Sequence, residues 1–505
     1  MKVFRMSCLA LALAAADATF AGGLLTNTNQ NISFLRNPAR EAAIGIDGVY
    51  SNPAGVVFLG EGFHLSVNLQ NAHQTRTIET GYPLFVNNAN NLSGNIHKFE
   101  GTADAPVLPS LQAAYNKGKW SFQFGFAITG GGGKCEFEDG LGSFEQVVGS
   151  VTNYAPKVNM LYQALGAAGI PGMSNHAMGN KYAYDSYMRG RQYYYGFTFG
   201  AGYKVNDNLS VYGGLRMLYG SANYYGYVKN IQVEHVEGET SAMVNASEHF
   251  SQLRDNLNYY AGMMEGSNPA VAEQLRGAAE QVAPLSIATQ DIELNCDQTG
   301  WGVAPIIGID FKKGGLNLAA KYEFKTRMRL KNKSANSASA DNISLLDKFK
   351  DGNKVAEDTP ALLTVGAQYE FCPKFRIMAG WHHYFDVDTK QYTKDMLGDS
   401  NEYLFGAEYD INKVVQVSAG MQRTQYDLKD KVMSDISFNV NSYSYGFGVG
   451  VNVTDRIKIN AAFFQTLYDD YDMSQNLGST EQPVMVTNSF TRTNRVLGLG
   501  VDFKF

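Results

Sequence analysis

Residues 443–453 read Tyr443-Ser444-Tyr445-Gly446-Phe447-Gly448-Val449-Gly450-Val451-Asn452-Val453, an unbroken alternation of large apolar with small or polar side chains. A period of two is the mark of a β-strand with one apolar face. The same pattern closes the chain, where Leu497, Leu499, Val501, Phe503 and Phe505 alternate with Gly498, Gly500, Asp502 and Lys504. It recurs at Trp120, Phe122, Phe124, Phe126 and Ile128, and again at Tyr195, Phe197, Phe199, Ala201 and Tyr203. Alternation alone does not separate a soluble sandwich from a membrane barrel. The spacing of the turns does.

Short turns at 116–118, 206–208, 312–315, 372–374, 411–413 and 454–456 alternate with long segments near 73–106, 130–189, 236–294, 332–358, 386–401, 426–439 and 469–490. Outer-membrane barrels have this asymmetry, with their short turns on the periplasmic side. The strands between fall near 62–72, 107–116, 119–129, 190–204, 209–235, 295–311, 315–331, 359–371, 374–385, 402–411, 413–425, 440–453, 456–468 and 491–505. They number fourteen, which places both termini on the periplasmic side. The expected fold is all-β: a transmembrane antiparallel β-barrel of 14 strands over residues 61–505, in the cell outer membrane and in contact with its lipids.

Composition agrees. The 505 residues include 52 Gly, 30 Tyr and 29 Phe, with 18% charged and a mean hydropathy of −0.24. Aromatic residues belong at the interfaces of such barrels. A net charge of −6 without any basic block argues against nucleic-acid binding. Lys2 and Arg5, the apolar run Cys8 to Ala16, and Thr19-Phe20-Ala21 read as a secretory signal peptide over 1–21. No later stretch is long and apolar enough for a spanning helix, so a closed barrel is the remaining way to cross a bilayer.

Three cysteines remain after the signal. Cys135 and Cys296 fall towards the outer face and Cys372 in an inner turn, so Cys135–Cys296 is the one disulfide to weigh against no bond at all. In the outer segments, Asn268 and Pro269 start a helical pattern whose apolar face is Val271, Leu275, Ala278, Ala279 and Val282. Weaker helical patterns cover 246–264 and 157–168. Such helices either cap the barrel or offer a landing groove for an apolar ligand.

Residues 22–60 do not fit the strand pattern. They are rich in Asn, Ala and Gly, with scattered apolar positions such as Ile44, Ile46, Val56 and Phe58. A barrel of this size has a lumen wider than its own side chains fill, so an N-terminal plug is favoured over a solvated tail. Ala21-Gly22-Gly23, then Asp47 and Tyr50-Ser51-Asn52-Pro53-Ala54-Gly55, resemble the FadL-type outer-membrane transporters of long-chain fatty acids and other hydrophobic compounds. That resemblance implies a fourteen-stranded barrel with a hatch in its lumen. It also implies that Asn52, Pro53 and Ala54 lie against an inward kink in the third strand, where the wall opens sideways. The third strand runs into Gly130-Gly131-Gly132-Gly133, which permit a bend or else begin a flexible loop.

No catalytic constellation stands out, so an enzyme is not expected. His382-His383 is a poor metal site because neighbours in a strand face opposite ways, and neither a metal nor another cofactor is expected. Strand phase turns Arg216, Lys321, Glu323, Lys325, Arg327 and Arg329 inward. Arg216 and Lys321, near mid-strand, are the candidates to hold a carboxylate headgroup, against pairing with lumen acids. The expected function is passive uptake of hydrophobic compounds such as long-chain fatty acids, with hatch movement and lateral exit near the third strand. A hydrophilic porin and a surface-binding barrel remain alternatives. Neither the cargo nor the oligomeric state is written in these residues, and a monomer is the default.

Overall fold

A computed structural model describes residues 26–90, 94–391, 394–435, 437–478 and 483–505. The signal peptide expected over 1–21, and residues 22–25 of the expected plug, lie outside the described residues. Among the described residues fourteen antiparallel strands close into a barrel, and a short arm, Thr240–Asn245, pairs with the tip of the fifth in the same sheet. They are β1 (Gly62–Gly81), β2 (Ile96–Lys117), β3 (Trp120–Phe137), β4 (His176–Lys204), β5 (Leu209–Glu237) and β6 (Ile292–Lys313). Then come β7 (Leu316–Glu323, resumed at Arg329–Ser334), β8 (Lys354–Ala356, resumed at Ala361–Cys372), β9 (Phe375–Phe385) and β10 (Ser400–Asp410). The last are β11 (Val415–Gln425), β12 (Ser442–Thr454), β13 (Ile457–Tyr468, resumed at Tyr471–Asn476) and β14 (Met485–Lys504). The seam is the pairing of β14 with β1, from His64–Lys504 to Gly81–Thr487.

Closure of β14 on β1 removes the two long edges an open sheet would have, which a bilayer would otherwise penalise at several kcal/mol per unpaired group. The outward face is an apolar belt. Phe122, Trp301, Tyr403, Phe405, Phe447, Leu497 and Leu499 are each about half exposed. Among the described residues no helix is long and apolar enough to cross a membrane.

Strand number and turn pattern match the sequence reading, but the strands are longer at the long-loop end. β1 continues to Gly81, β2 begins at Ile96 and β4 at His176. Those extensions carry Thr, Glu, Gln and His on both faces, so their hydrophobic alternation fades while their ladder continues. The expected inward phase also fails past Glu323. β7 breaks there, and Thr326, Met328 and Leu330 are buried while Arg327 is exposed. Lys325, Arg327 and Arg329 are therefore not one inward row with Lys321.

The long-loop end is capped by helices α1 (Gly142–Ser150), α2 (Ala155–Ala167), α3 (Ala246–Met264) and α4 (Pro269–Ala288). Asn268 caps α4 by accepting from the Val271 N–H, and Leu275, Ala278, Ala279 and Val282 are buried as the pattern required. They pack with Phe144, Phe250, Leu253 and Leu257 into one apolar cluster. Cys135, Cys296 and Cys372 are all free. The ladders run Cys135–Gly190, Gly190–Tyr224 and Tyr224–Cys296. Three strand spacings, roughly 14 Å, separate two cysteines that would need to lie within about 7 Å to bond.

Candidate functional site

Residues 26–59 lie against the inward-facing side chains of the barrel, and most are buried. A short helix, Ile32–Arg36, is capped by Asn31, whose side chain accepts from the Ser33 N–H. Ile32, Phe34, Leu35, Ala39 and Ala43 pack with Ala72, Met378, Leu404, Phe464 and Val496 of the wall. The glycines of the inner face make this approach possible. A Cβ on Gly446 would sit 2.0 Å from the Leu35 carbonyl oxygen, and one on Gly366 would sit 2.5 Å from the Glu41 Cβ. Gly446→Val should therefore lower stability by about 1–3 kcal/mol, a typical overpacking cost, read as a shift in the unfolding midpoint. The penalty should shrink in a chain lacking residues 22–58, where only the Phe464 ring, 2.9 Å from such a Cβ, still resists it; if it is undiminished there, contact with Leu35 is not its cause.

Charged groups fasten the same segment. Arg40 makes a two-pronged contact to Asp47 (Nε–Oδ2 2.7 Å, Nη2–Oδ1 3.1 Å) and reaches Glu408 of β10 at 2.6 Å. Arg376 of β9 holds the other Glu408 oxygen at 2.8 Å. Glu41 accepts or shares a proton with His382 Nε2 at 2.7 Å, and the other ring nitrogen meets Glu402 at 2.7 Å. His383 faces the opposite way and meets Asn401, so the adjacent histidines divide between the two faces as expected.

Arg216 and Lys321 are both inward and buried. Arg216 is paired with Glu323 (2.8 Å) and hydrogen-bonded to Thr198 (3.0 Å). Lys321 donates to the Tyr50 carbonyl oxygen at 2.7 Å. Both cations lie over the Tyr50 ring, at 4.9 and 4.2 Å from its centre. In this arrangement they clamp the segment.

The ladders of the wall break between β6 and β7, where pairing stops at Ile306–Glu323 and resumes at Thr299–Lys331, and between β2 and β3, where the N-terminal segment meets the break. The β2–β3 ladder is continuous from Leu111–Phe126 to Lys117–Trp120, stops, and resumes at Asp104–Lys134. Opposite, β3 slips twice against β4, between Ile128 and Gly130 and between Gly130 and Gly133. Gly131 and Gly133 adopt positive φ (78° and 88°), which side chains other than Gly resist. The glycine run lies within β3, where the register slips, and not in a loop. On the β2 side, Pro106 and Pro109 lack the N–H that a ladder requires.

Asn27 occupies the interruption. Its N–H donates to the Thr129 carbonyl and its side-chain amide to the Gly131 carbonyl, both at 2.8 Å. Ser110 and Gln112 of β2 donate to the Gln30 carbonyl at 2.5 and 3.0 Å. The cavity left there, lined in part by Gln70, Leu108 and Tyr193, measures about 20 Å³, room for about one water. The opening is closed. Asn52, Pro53 and Ala54 lie elsewhere on the wall. Asn52 donates to Asp310 (2.7 Å), Gln123 of β3 donates to the Pro53 carbonyl (2.7 Å), and Ser210 donates to the Ala54 carbonyl (2.7 Å). The third strand is touched by both parts of the segment, but its kink is bonded by Asn27. The prolines in β2 are the sequence signal for the interruption, and the strand expected over 107–116 starts just past Pro106.

No family model and no curated protein sequence matches the chain. Solved structures do. A Pseudomonas aeruginosa FadL homologue aligns over 96% of this chain and 100% of its own, with a TM-score of 0.62 and 12% identity. The chain folds as a FadL-type barrel. The P. putida toluene transporter TodX aligns over 91% of this chain and 94% of its own, with a TM-score of 0.52 and 15% identity. A deltaS2 mutant of TodX, a monoaromatic hydrocarbon channel, gives the same coverage and TM-score at 16% identity. At these identities the likeness of the FadL-type barrel to its neighbours is one of fold.

Proposed function

We propose that this FadL-type barrel is a passive outer-membrane channel for the uptake of hydrophobic compounds such as long-chain fatty acids. In this reading residues 22–60 act as a hatch, and cargo leaves sideways between β2 and β3. The observation that carries it is the interrupted ladder at 105–110 against 127–133, stoppered from inside by Asn27. A hydrophilic pore has no use for a gap in its wall. An apolar cargo does: at ~0.8 kcal/mol per methylene, a long acyl chain would lose roughly 12 kcal/mol on entering water, and a sideways exit spares it that step. The same fold serves a toluene transporter, which supports an apolar cargo here.

Lys321 becomes available to a carboxylate headgroup when Tyr50 withdraws, and Arg216 when it also leaves Glu323, so we assign them to cargo in the displaced state. Asn52, Pro53 and Ala54 hold the far end of the hatch, and its release begins at Asn27.

The test is a paired permeability measurement in cells lacking other uptake routes and in proteoliposomes. Labelled long-chain fatty acid should enter the cells, and small sugars should not swell the proteoliposomes. Sugar flux without fatty-acid entry would make the protein a porin and discard the reading.

A further inference from the structure

The long-loop end gathers three histidines that are far apart in sequence. His176 opens β4 and is paired directly across the ladder with Glu237 of β5. His235 lies two residues before Glu237, hence on the same face. His176 Nδ1 and His235 Nε2 are 3.2 Å apart, and one ligand atom from each of His176, His235 and Glu237 falls within 4.8 Å of the others. His249 of α3 adds a third ring, 5.1 Å from that of His235, and Tyr162 of α2 stands beside all three.

As a purely structural cluster this is poorly satisfied. The His176–His235 contact uses one nitrogen of each ring. Whichever ring holds the proton, His235 Nδ1 remains buried without a partner, and so does His249 Nε2. Buried polar nitrogens are normally paired, because leaving one unmet costs about 1–3 kcal/mol. A metal ion held between the facing nitrogens, His176 Nδ1 and His235 Nε2, fits this pair in place of a shared proton, and the unmet His235 Nδ1 lies on the other side of its ring. Two nitrogens each ~2.0–2.1 Å from a tetrahedral ion lie roughly 3.3 Å apart, close to the 3.2 Å observed. Imidazole with one carboxylate is a ligand set that suits zinc.

We propose that His176, His235 and Glu237 bind a divalent zinc-class ion at the long-loop end of the barrel, with the His249 ring packed beside the site. The ion would tie the tips of β4 and β5 to each other beside α3. It does so at a point remote from the wall interruption, and it is independent of the transport reading.

The test titrates zinc alone into the untagged full-length mature protein in detergent, with a competing chromophoric chelator as the readout. One saturable equivalent is expected, and cobalt in its place should give the intense visible bands of a tetrahedral site. The double variant H176A/H235A should weaken zinc by at least about tenfold. Glu237→Gln, at an exposed side chain the fold does not need, should also weaken it. His73→Ala, at a surface histidine beside Asp104, should not. Heat-dependent gel mobility verifies that each variant is a folded barrel. Absence of saturable zinc binding by the wild type, or unchanged affinity in both H176A/H235A and Glu237→Gln, would overturn the proposal.

Discussion

Removing residues 22–58 is expected to turn a sealed barrel into an ion-conducting pore. A fourteen-strand barrel is too wide for its own inward side chains to fill, and here the inner face is unusually bare. Gly366, Gly380, Gly406, Gly446, Gly448, Gly498 and Gly500 all leave space that the N-terminal segment occupies. Without that segment, the short-turn half of the lumen has nothing to replace Ile32, Phe34, Leu35 or the Arg40–Asp47 pair. Conductance in planar bilayers should rise by about tenfold or more, and discrimination against small sugars should disappear. A deletion protein that shows the mobility of a folded barrel yet conducts no more than the intact chain would mean that something else seals the lumen.

Arg40→Ala is the point substitution with the largest expected effect. Arg40 is the common partner of Asp47 on the segment and Glu408 on the wall, and all three side chains are almost fully buried. Taking away the cation leaves Asp47 without its counter-charge and Glu408 with Arg376 alone. Breaking a buried pair in this way typically costs about 3–5 kcal/mol, because the surviving charge stays desolvated. The loss should fall on the segment before the barrel, since the ladders do not depend on Arg40. Limited proteolysis near residue 47, together with a rise in basal ion leak, measures it directly. Asp47→Asn with Glu408→Gln in the same chain should recover much of the loss. If Arg40→Ala alone leaves both protease resistance and leak unchanged, the ion pair does not anchor the segment.

The barrel was legible because its signal repeats. Every membrane-facing strand must alternate, so runs such as 443–453 and 497–505 announce themselves locally, and the turn pattern then sets the count. The clamp was not legible. Arg40, Asp47 and Glu408 lie up to 368 positions apart, and nothing in their neighbourhoods distinguishes them from surface charges. Arg216 and Lys321 show the middle case. Strand phase turned them inward correctly, but their partner, the Tyr50 ring, comes from an irregular segment with no periodicity to read. The kink was half visible: four consecutive glycines mark β3, whereas Pro106 and Pro109, which break the same ladder from β2, look like loop residues until the strand is seen to extend beyond them. The histidine cluster depends on register at the far tips of β4 and β5, where alternation has already faded.

The short helix Ile32–Arg36 has one more implication, for the order in which the molecule is built. The Ile32 N–H donates to the Asn68 side-chain oxygen of β1, and Ile32 lies under Gly498 and Gly500 of β14. Asn31 reaches Gln112 of β2 on one side, and Leu35 and Arg36 lie on Gly446 and Gln416 of β12 and β11 on the other. The helix therefore straddles the seam where the first and last strands meet. Its seat is half on residues made at the start of synthesis and half on residues made at the end, so it is complete only once β14 has arrived. The same few side chains that stopper the lumen thus act as an internal staple on the final weld of the cylinder, and a chain that closed out of register would have nowhere to put them.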